Sequence, residues 1–336
     1  MYTKEFILNE VNAIRAEIGH DEVNIFIEEI YLENNEMWII TEDRPDKSAI
    51  IGKGGWVVGK LKEKLGLDSI HVESYGDFLN KNYKLKLSKK TMHNIDLDSF
   101  GLKNLERTID CKLKNIYSFN FDKYFSQNEF EESSRIEAVV ALSGGVDSSF
   151  SLILAKKLGF NPVAVTVDPG TIILPNQFKK NIKVLVESLG VKHEYIEADY
   201  SDVIGESFTG NVHPCGRCSK NTGQLVKQYA KDNEIPIIIF GDMLATGSQC
   251  INLQEDSLYR LNLPASLSVG KQEIKSLIKN YDLQTFKGFG CPLLYEVHKK
   301  FPHMRKFSIQ RILRETRSGA LEPGEALDLI WSFNKR

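Results

Sequence analysis

Ser143-Gly144-Gly145-Val146-Asp147-Ser148-Ser149 concentrates two glycines, three hydroxyls and a carboxylate in one short stretch. The apolar run Ala138 to Leu142 before it reads as a buried strand, and the glycines then force a tight turn. Leu152, Ile153, Leu154 and Leu158 supply the apolar face of a helix that follows at once and closes at Gly159. Exposed backbone N–H groups, extra hydroxyl donors and the positive end of a helix dipole make an anion site suited to a nucleotide triphosphate. The stretch has neither the Gly-Lys-Ser/Thr ending of a Walker loop nor the spaced glycines of a dinucleotide fingerprint. A bare strand-turn-helix corner is the alternative, but a corner alone needs no such group of donors. A second cluster of chemistry is Cys215-Gly216-Arg217-Cys218, two thiols in a glycine-containing turn at a spacing that suits one metal centre. Cys291, in Gly288-Phe289-Gly290-Cys291-Pro292, is a third thiol among turn formers.

The loop resembles that of the PP-loop, or N-type, ATP pyrophosphatases. That resemblance implies cleavage of ATP between the α and β phosphates and transfer of AMP to a carbonyl oxygen, which a nucleophile then displaces. It implies the triphosphate on Ser143, Gly144, Gly145, Val146, Asp147, Ser148 and Ser149, the adenine near Val165 to Asp168 with Val167 and Asp168 as contacts, and Mg²⁺ placed by Asp147. Gly241 and Asp242, after a later strand, join the same expected nucleotide site. A Cys-x-x-Cys followed by a lone third cysteine resembles the iron–sulfur tRNA-thiolating members, the two-thiocytidine and two-thiouridine synthetases. In them three cysteines hold a [4Fe–4S] cluster with one iron left open, which implies Cys215, Cys218 and Cys291 as ligands here. Read from the residues alone, three other outcomes stay open: Zn²⁺ with His213 or Cys250 as fourth ligand, a metal-free redox or persulfide pair, and plain core thiols. Lys220 and Lys271 are candidates to stabilise developing charge, set against the ordinary role of surface lysines. Cys111 and Cys250 are expected to be unliganded.

The elements that must position these groups alternate strand and helix. Strands are expected at Pro162 to Val167, His193 to Ala198 and Ile235 to Phe240, the first and last rich in Val and Ile, with helices at Gln177 to Leu189 and Gly223 to Asn233 between them. This pattern predicts a parallel sheet buried on both faces, whose ligands lie at the carboxyl ends of the strands. The loop, Asp168, the cysteine turn and Gly241-Asp242 all follow strand ends, so one crevice can hold them.

Ahead of this comes a different pattern. A helix from Lys4 to Ile18, strands at Val23 to Tyr31 and Met37 to Thr41 about an Asn34-Asn35 turn, then Gly52-Lys53-Gly54-Gly55-Trp56, a helix from Val57 to Leu65 and a strand from Ser69 to Ser74 make a small α+β domain. That order resembles a type II KH domain, in which the glycine turn admits the backbone of about four unpaired nucleotides. The resemblance implies RNA contact at Gly52, Lys53, Gly54, Gly55, Trp56 and Lys60; the alternative is a small domain whose glycines only turn a corner. The expected organisation is therefore a KH-like domain over 1–76, a basic connecting segment over 77–134, a PP-loop domain over 135–300 and a helical tail over 301–336. Lys81, Lys84, Lys86, Lys89 and Lys90 in the connecting segment either extend an RNA face or form a solvated face. Leu102 to Ile116 reads as helix and Glu129 to Ser134 as a linker. Lys299, Lys300, Arg305, Lys306, Arg311, Arg314 and Arg317 make the tail basic.

A chain of 336 residues has room for several cores, and a net charge of −2 excludes a globally basic nucleic-acid binder, so any basic surface is local. No apolar run approaches a membrane span, Met1 to Glu5 shows no secretory signal, and five cysteines with one close pair do not make a disulfide framework. A cytoplasmic protein with no membrane partner is expected. The reading is an ATP-dependent tRNA sulfurtransferase that adenylates a pyrimidine carbonyl and replaces its oxygen by sulfur, with ATP, Mg²⁺ and a [4Fe–4S] cluster or Zn²⁺ as cofactors. Its partners are tRNA and sulfide or a sulfur-donor protein, with a homodimer as candidate assembly. Two rivals are a PP-loop ligase or amidotransferase that adenylates a small molecule beside structural zinc, and an RNA-binding protein regulated by nucleotide.

Overall fold

The computed structural model describes all residues except 1, 129, 131–135, 255–256, 285–289 and 334–336. The expected linker at Glu129 to Ser134 therefore lies, apart from Phe130, outside the described residues. The chain divides into two compact units, one of Met1–Tyr83 with Cys111–Phe119, the other of Lys84–Asp110 with Asn120–Arg336.

In the first unit, helix α1 (Lys4–Glu17) is capped by Thr3, whose hydroxyl accepts from the Phe6 N–H. Strands β1 (Ile27–Glu33) and β2 (Glu36–Thr41) form an antiparallel hairpin about Asn34 and Asn35, both at positive φ as such a turn requires. Helices α2 (Arg44–Ile51) and α3 (Trp56–Leu65) flank a short turn at Lys53–Gly55, and β3 (Ser69–Ser74) pairs parallel with β2. Ile7, Val11, Met37, Ile39, Val57 and Leu61 are fully buried and lock the helices onto one face of this sheet. Each such side chain contributes roughly 1.5–3 kcal/mol of transfer free energy.

The weak middle of the sequence is helical: α4 (Tyr75–Met92), α5 (Phe100–Lys114) and α6 (Phe121–Gln127). Two of its lysines have structural partners, Lys84 on the Ser318 carbonyl at 2.7 Å and Lys89 on Asp110 at 2.6 Å.

The second unit is built on a six-stranded sheet in the order β6-β5-β4-β7-β9-β8. The strands are β4 (Glu137–Ala141), β5 (Asn161–Asp168), β6 (Lys192–Glu197), β7 (Ile237–Phe240), β8 (Ile251–Leu253) and β9 (Tyr259–Asn262). All neighbours are parallel except β8, which closes one edge antiparallel to β9. The expected parallel sheet is thus extended by two short strands too brief to leave an alternation in sequence. Val139, Val163, Val165 and Ile238 pack with Val226 and Ala230 of helix α10 (Pro214–Asp232). The alternate residues Ala138, Val140, Ala164 and Ile239 are fully buried too, so both faces of the strands are covered. Helix α7 (Val146–Lys157) is buried continuously from Ser148 to Ala155, which makes it a central helix with no solvated stripe. Helices α8 (Asn176–Leu189), α9 (Ser201–Ser207), α11 (Leu263–Ser266), α12 (Lys271–Ile278), α13 (Pro292–Lys300), α14 (Arg305–Arg317) and α15 (Pro323–Ser332) complete the unit. Because β5 and β6 lie on one side of β4 and β7 on the other, strand order reverses at β4. The carboxyl ends there open the crevice where such sheets bind ligands.

Candidate functional site

The phosphate-type loop leaves β4 at that reversal point. Gly144 has φ +72°, and a Cβ on it would come within 2.5 Å of the Phe178 carbonyl oxygen, so only glycine fits. The Ser143 N–H donates to Ser148 Oγ at 3.1 Å, the two hydroxyls meet at 3.0 Å, and Ser148 also donates to the Gly145 carbonyl at 3.1 Å. These bonds pin the first turn of α7. Ser149 Oγ is buried with no hydrogen-bond partner among the described residues. An orphaned hydroxyl costs about 1–3 kcal/mol unless a ligand satisfies it. Asn181, itself buried, donates to the Gly144 carbonyl at 3.3 Å and to the Gln284 carbonyl at 2.9 Å, and so fixes the outer side of the loop.

Asp147 points back to Lys271, at the start of α12, whose Nζ lies 2.5 and 2.6 Å from the two carboxylate oxygens. Two of the three expected catalytic residues are therefore one ion pair across 124 positions of chain. One loop carboxylate that can exchange an ammonium for a cation fits the way Mg²⁺ is usually held, by one or two carboxylates and the phosphates themselves.

The other expected nucleotide residues divide by role. Val167 is buried at the end of β5, and Asp168 accepts from the Gly170 N–H at 3.0 Å and pairs with Lys179, so its carboxylate shapes the Asp168-Pro169-Gly170 turn. A Cβ on Gly241 would meet the Asp147 and Ser148 backbone at 2.9 Å, so the glycine lets β7 end directly against the loop helix. Asp242 pairs with Arg260 at 2.7 Å, whose guanidinium lies 4.2 Å above the Phe240 ring. Lys220 is exposed on α10 and about 200° around the helix from Cys218.

Cys215 and Cys218 do not sit in a turn, as their Gly-containing spacing suggested. Pro214 begins α10, a position that proline favours because its missing N–H is not needed there, and the two thiols occupy the first helical turns. Three positions apart, they share a face. Cys291 caps α13, and Gly290 before it packs so closely on Phe178 that a Cβ would fall 2.5 Å from its ring. Phe178 thus touches both the loop glycine and the third cysteine's segment. Burial pushes the Cys215 thiol up to about 11, with Cys291 adding to the rise, and the Cys218 thiol up to about 12, with Cys215 and Cys291 adding. The three thiols therefore feel one another, and burial outweighs the helix N-terminus, which alone favours thiolate. As the side chains are placed, no three His, Cys, Asp or Glu groups converge as a metal set among the described residues. The donor chemistry, three thiols without a carboxylate, suits iron or zinc. Cys250 is fully buried at the sheet edge, and Cys111 lies in α5 with the Asn115 amide 3.5 Å from its sulfur.

Sequence reasoning ranked Arg311 only as one basic residue of the tail. In α14 its Nε donates to Glu315 at 3.0 Å; burial opposes its charge, but Glu315, Cys215 and Asp147 together raise its pKa. No local signal separated it from its basic neighbours, because what distinguishes it is the packing of α14.

In the first unit, Gly52, Gly54 and Gly55 all have positive φ. A Cβ on Gly52 would come within 2.3 Å of Val57, whereas one on Gly54 or Gly55 would meet nothing within 4 Å. Gly52 is thus required by packing and the other two keep the backbone bare. Lys53 is exposed, as is Trp56, with Lys60 Nζ 5.8 Å above its ring. Lys60 also pairs with Glu63, and Lys64 with Glu10, so part of the expected local charge is neutralised.

No family model matches the chain. It is 34% identical over 253 residues to uncharacterized protein MJ1638 of Methanocaldococcus jannaschii, covering 74% of this chain and 92% of that one, and the two belong to one family. It is 34% identical over 94 residues to an NH(3)-dependent NAD(+) synthetase of Staphylothermus marinus, which covers 26% of this chain and 34% of the synthetase. It is 24% identical over 190 residues to the tRNA-specific 2-thiouridylase MnmA of Persephonella marina, 44% of this chain and 52% of the thiouridylase. The matches to the synthetase and the thiouridylase support the PP-loop ATP pyrophosphatase superfamily. Among solved structures, the U34-tRNA thiolase NcsA of Methanococcus maripaludis with its [4Fe-4S] cluster aligns at 15% identity and TM-score 0.39, over 70% of this chain and 79% of that one. The chain spans nearly all of MJ1638 but only a third to a half of the synthetase and the thiouridylase. No helix among the described residues is long and apolar enough to cross a membrane.

Proposed function

We propose that this PP-loop protein is an ATP-dependent tRNA sulfurtransferase. The observation that carries the reading is the meeting of two chemistries in one unit: a donor-rich phosphate loop and three thiols, with Gly144 of the loop and Gly290 beside Cys291 both packed against Phe178. In this reading the loop N–H groups and the hydroxyls of Ser143, Ser148 and Ser149 bind the triphosphate, and Asp147, released from Lys271, would help hold Mg²⁺, which would offset the phosphate charge. Lys271, released, lies where charge grows as pyrophosphate leaves. A pyrimidine carbonyl oxygen attacks the α-phosphorus to form the adenylate. A sulfur nucleophile then adds at that carbon and AMP departs with the oxygen. A [4Fe–4S] cluster on Cys215, Cys218 and Cys291 would supply an open iron at which a sulfur species can be held; zinc is the alternative occupant.

The first unit is proposed as the RNA-docking part. Its order α1-β1-β2-α2-α3-β3, with the bare glycine turn between α2 and α3 and an exposed Trp56 beside it, supports a type II KH-like reading. A tRNA is the substrate class that this and the thiouridylase match support.

A second reading rests on the NAD synthetase match: a ligase or amidotransferase that adenylates a small carboxylate for attack by ammonia. One experiment separates them. Anaerobically prepared protein is incubated with ATP, Mg²⁺, sulfide and tRNA, and the RNA is digested and analysed by mass spectrometry. The sulfurtransferase reading expects a thiolated pyrimidine with AMP and pyrophosphate in equal amounts. Unmodified tRNA, together with ammonia-dependent AMP formation on a carboxylic acid, would replace it by the ligase.

A further inference from the structure

Helix α14 is tied at both ends to the two halves of the site. Near its start, Ser308 Oγ lies 3.2 Å from Nε2 of His213, two residues before Cys215. Just past its end, the Ala320 carbonyl accepts the backbone N–H of Lys271 at 2.8 Å, the residue whose ammonium holds Asp147. Arg311 stands between these anchors, one turn on from Ser308 and so on the same side of the helix. Glu315, one turn further and nearly buried, grips its Nε–H at 3.0 Å. On a helix anchored beside the cysteine segment at one end and beside Lys271 at the other, a guanidinium oriented through its Nε–H suits recognition of an anion in a fixed orientation, since arginine binds phosphate as a planar fork.

We propose that Arg311 binds the α-phosphate of the adenine nucleotide from the thiol side of the crevice, with Glu315 as the residue that orients it. This rests on the ATP pyrophosphatase reading of the loop. The α-phosphate is the one that stays when pyrophosphate leaves, so it is the phosphate that must face the side where the second half-reaction occurs. The influence of Asp147 and Cys215 on the arginine's charge agrees with this position.

The test needs neither RNA nor a metal centre. Binding of ATP, AMP and adenosine to the full chain is measured by calorimetry for the parent, R311A, R311M, R311K and E315Q. R311A and R311M should weaken AMP and ATP about 10- to 100-fold, the loss expected for a charge-assisted contact, and leave adenosine unchanged. R311K should fall between, because an ammonium keeps the charge without the fork, and E315Q should lose less than R311A. If R311A does not fold, R311M, which keeps the volume of the side chain, carries the test. Parent-like AMP affinity in folded R311A or R311M overturns the assignment while leaving the ATP site standing. Equal losses for adenosine show a structural role and overturn it as well. A parent that binds neither ATP nor AMP removes the pyrophosphatase reading and this proposal with it.

Discussion

Replacing Asp147 by alanine probes the ion pair at the centre of the loop. Its carboxylate is bidentate to Lys271 at 2.5 and 2.6 Å, and the two side chains keep only 26% and 15% of their exposure. At an effective dielectric near 20, unit charges about 3 Å apart attract by roughly 5 kcal/mol. Solvent screening and relaxation around this partly exposed pair reduce that figure, so a coupling of about 1–3 kcal/mol is expected. D147A leaves the ammonium of Lys271 in a poorly solvated place without its carboxylate, whereas D147A/K271M leaves neither charge. Urea denaturation of the parent, both single variants and the double variant closes a double-mutant cycle. The double variant should lose less stability than the sum of the singles, by that coupling. Single effects that add to within about 0.5 kcal/mol would refute the pair as an energetic unit. D147A should also lose Mg²⁺-dependent nucleotide turnover while the thiol site keeps whatever metal it holds, because the two sets of ligands are separate.

Under the sulfurtransferase reading, anaerobic protein is expected to be brown, and Ala at Cys215, Cys218 or Cys291 should abolish the colour while C111A and C250A keep it; iron, sulfide and zinc analysis decides, and one zinc per colourless chain would sink the cluster. G54D should weaken tRNA binding in a gel-shift titration, by placing a carboxylate where a Cβ meets open space, and should leave ATP binding alone; tRNA affinity equal to the parent at two salt concentrations would reduce the glycine turn to a corner. His298 is nearly buried, and burial, His213 and Arg305 hold its pKa down to about 4. The unfolded chain takes up that proton near pH 6.5, so between about 6.5 and 4 the unfolded state binds more protons and stability falls as pH falls. Denaturation midpoints of H298Q measured over that range should fall less steeply than those of the parent, and parallel curves would exclude the histidine as a source of the slope.

The order of strands and helices, the phosphate loop and the bare glycine turn were legible in the residues because their causes are local. Two glycines before a polar helix start, Asn34-Asn35 between alternating strands, and Gly66 after an apolar stripe each act through the backbone of a few neighbours. The segment over α4 to α6 read weakly because lysines interrupt its apolar pattern, and some of those lysines turned out to hold distant carbonyls and carboxylates. The cysteine pair was placed in a turn because Gly216 is a turn former, but Pro214 and the burial of α10 against the sheet extended the helix through it. Gly241 looked like a ligand contact, and the fold uses it to let a strand end rest on the loop helix. Asp147 with Lys271, Gly144 and Gly290 on one phenylalanine, and Ser308 of α14 beside His213 are meetings of residues far apart in the chain. Residue type announced which groups can bind phosphate or metal. Which of them face one another was decided by the reversal of strand order at β4 and the return of α14 across the crevice, because contact between distant segments is set by the packing of whole elements and leaves no trace in local spacing.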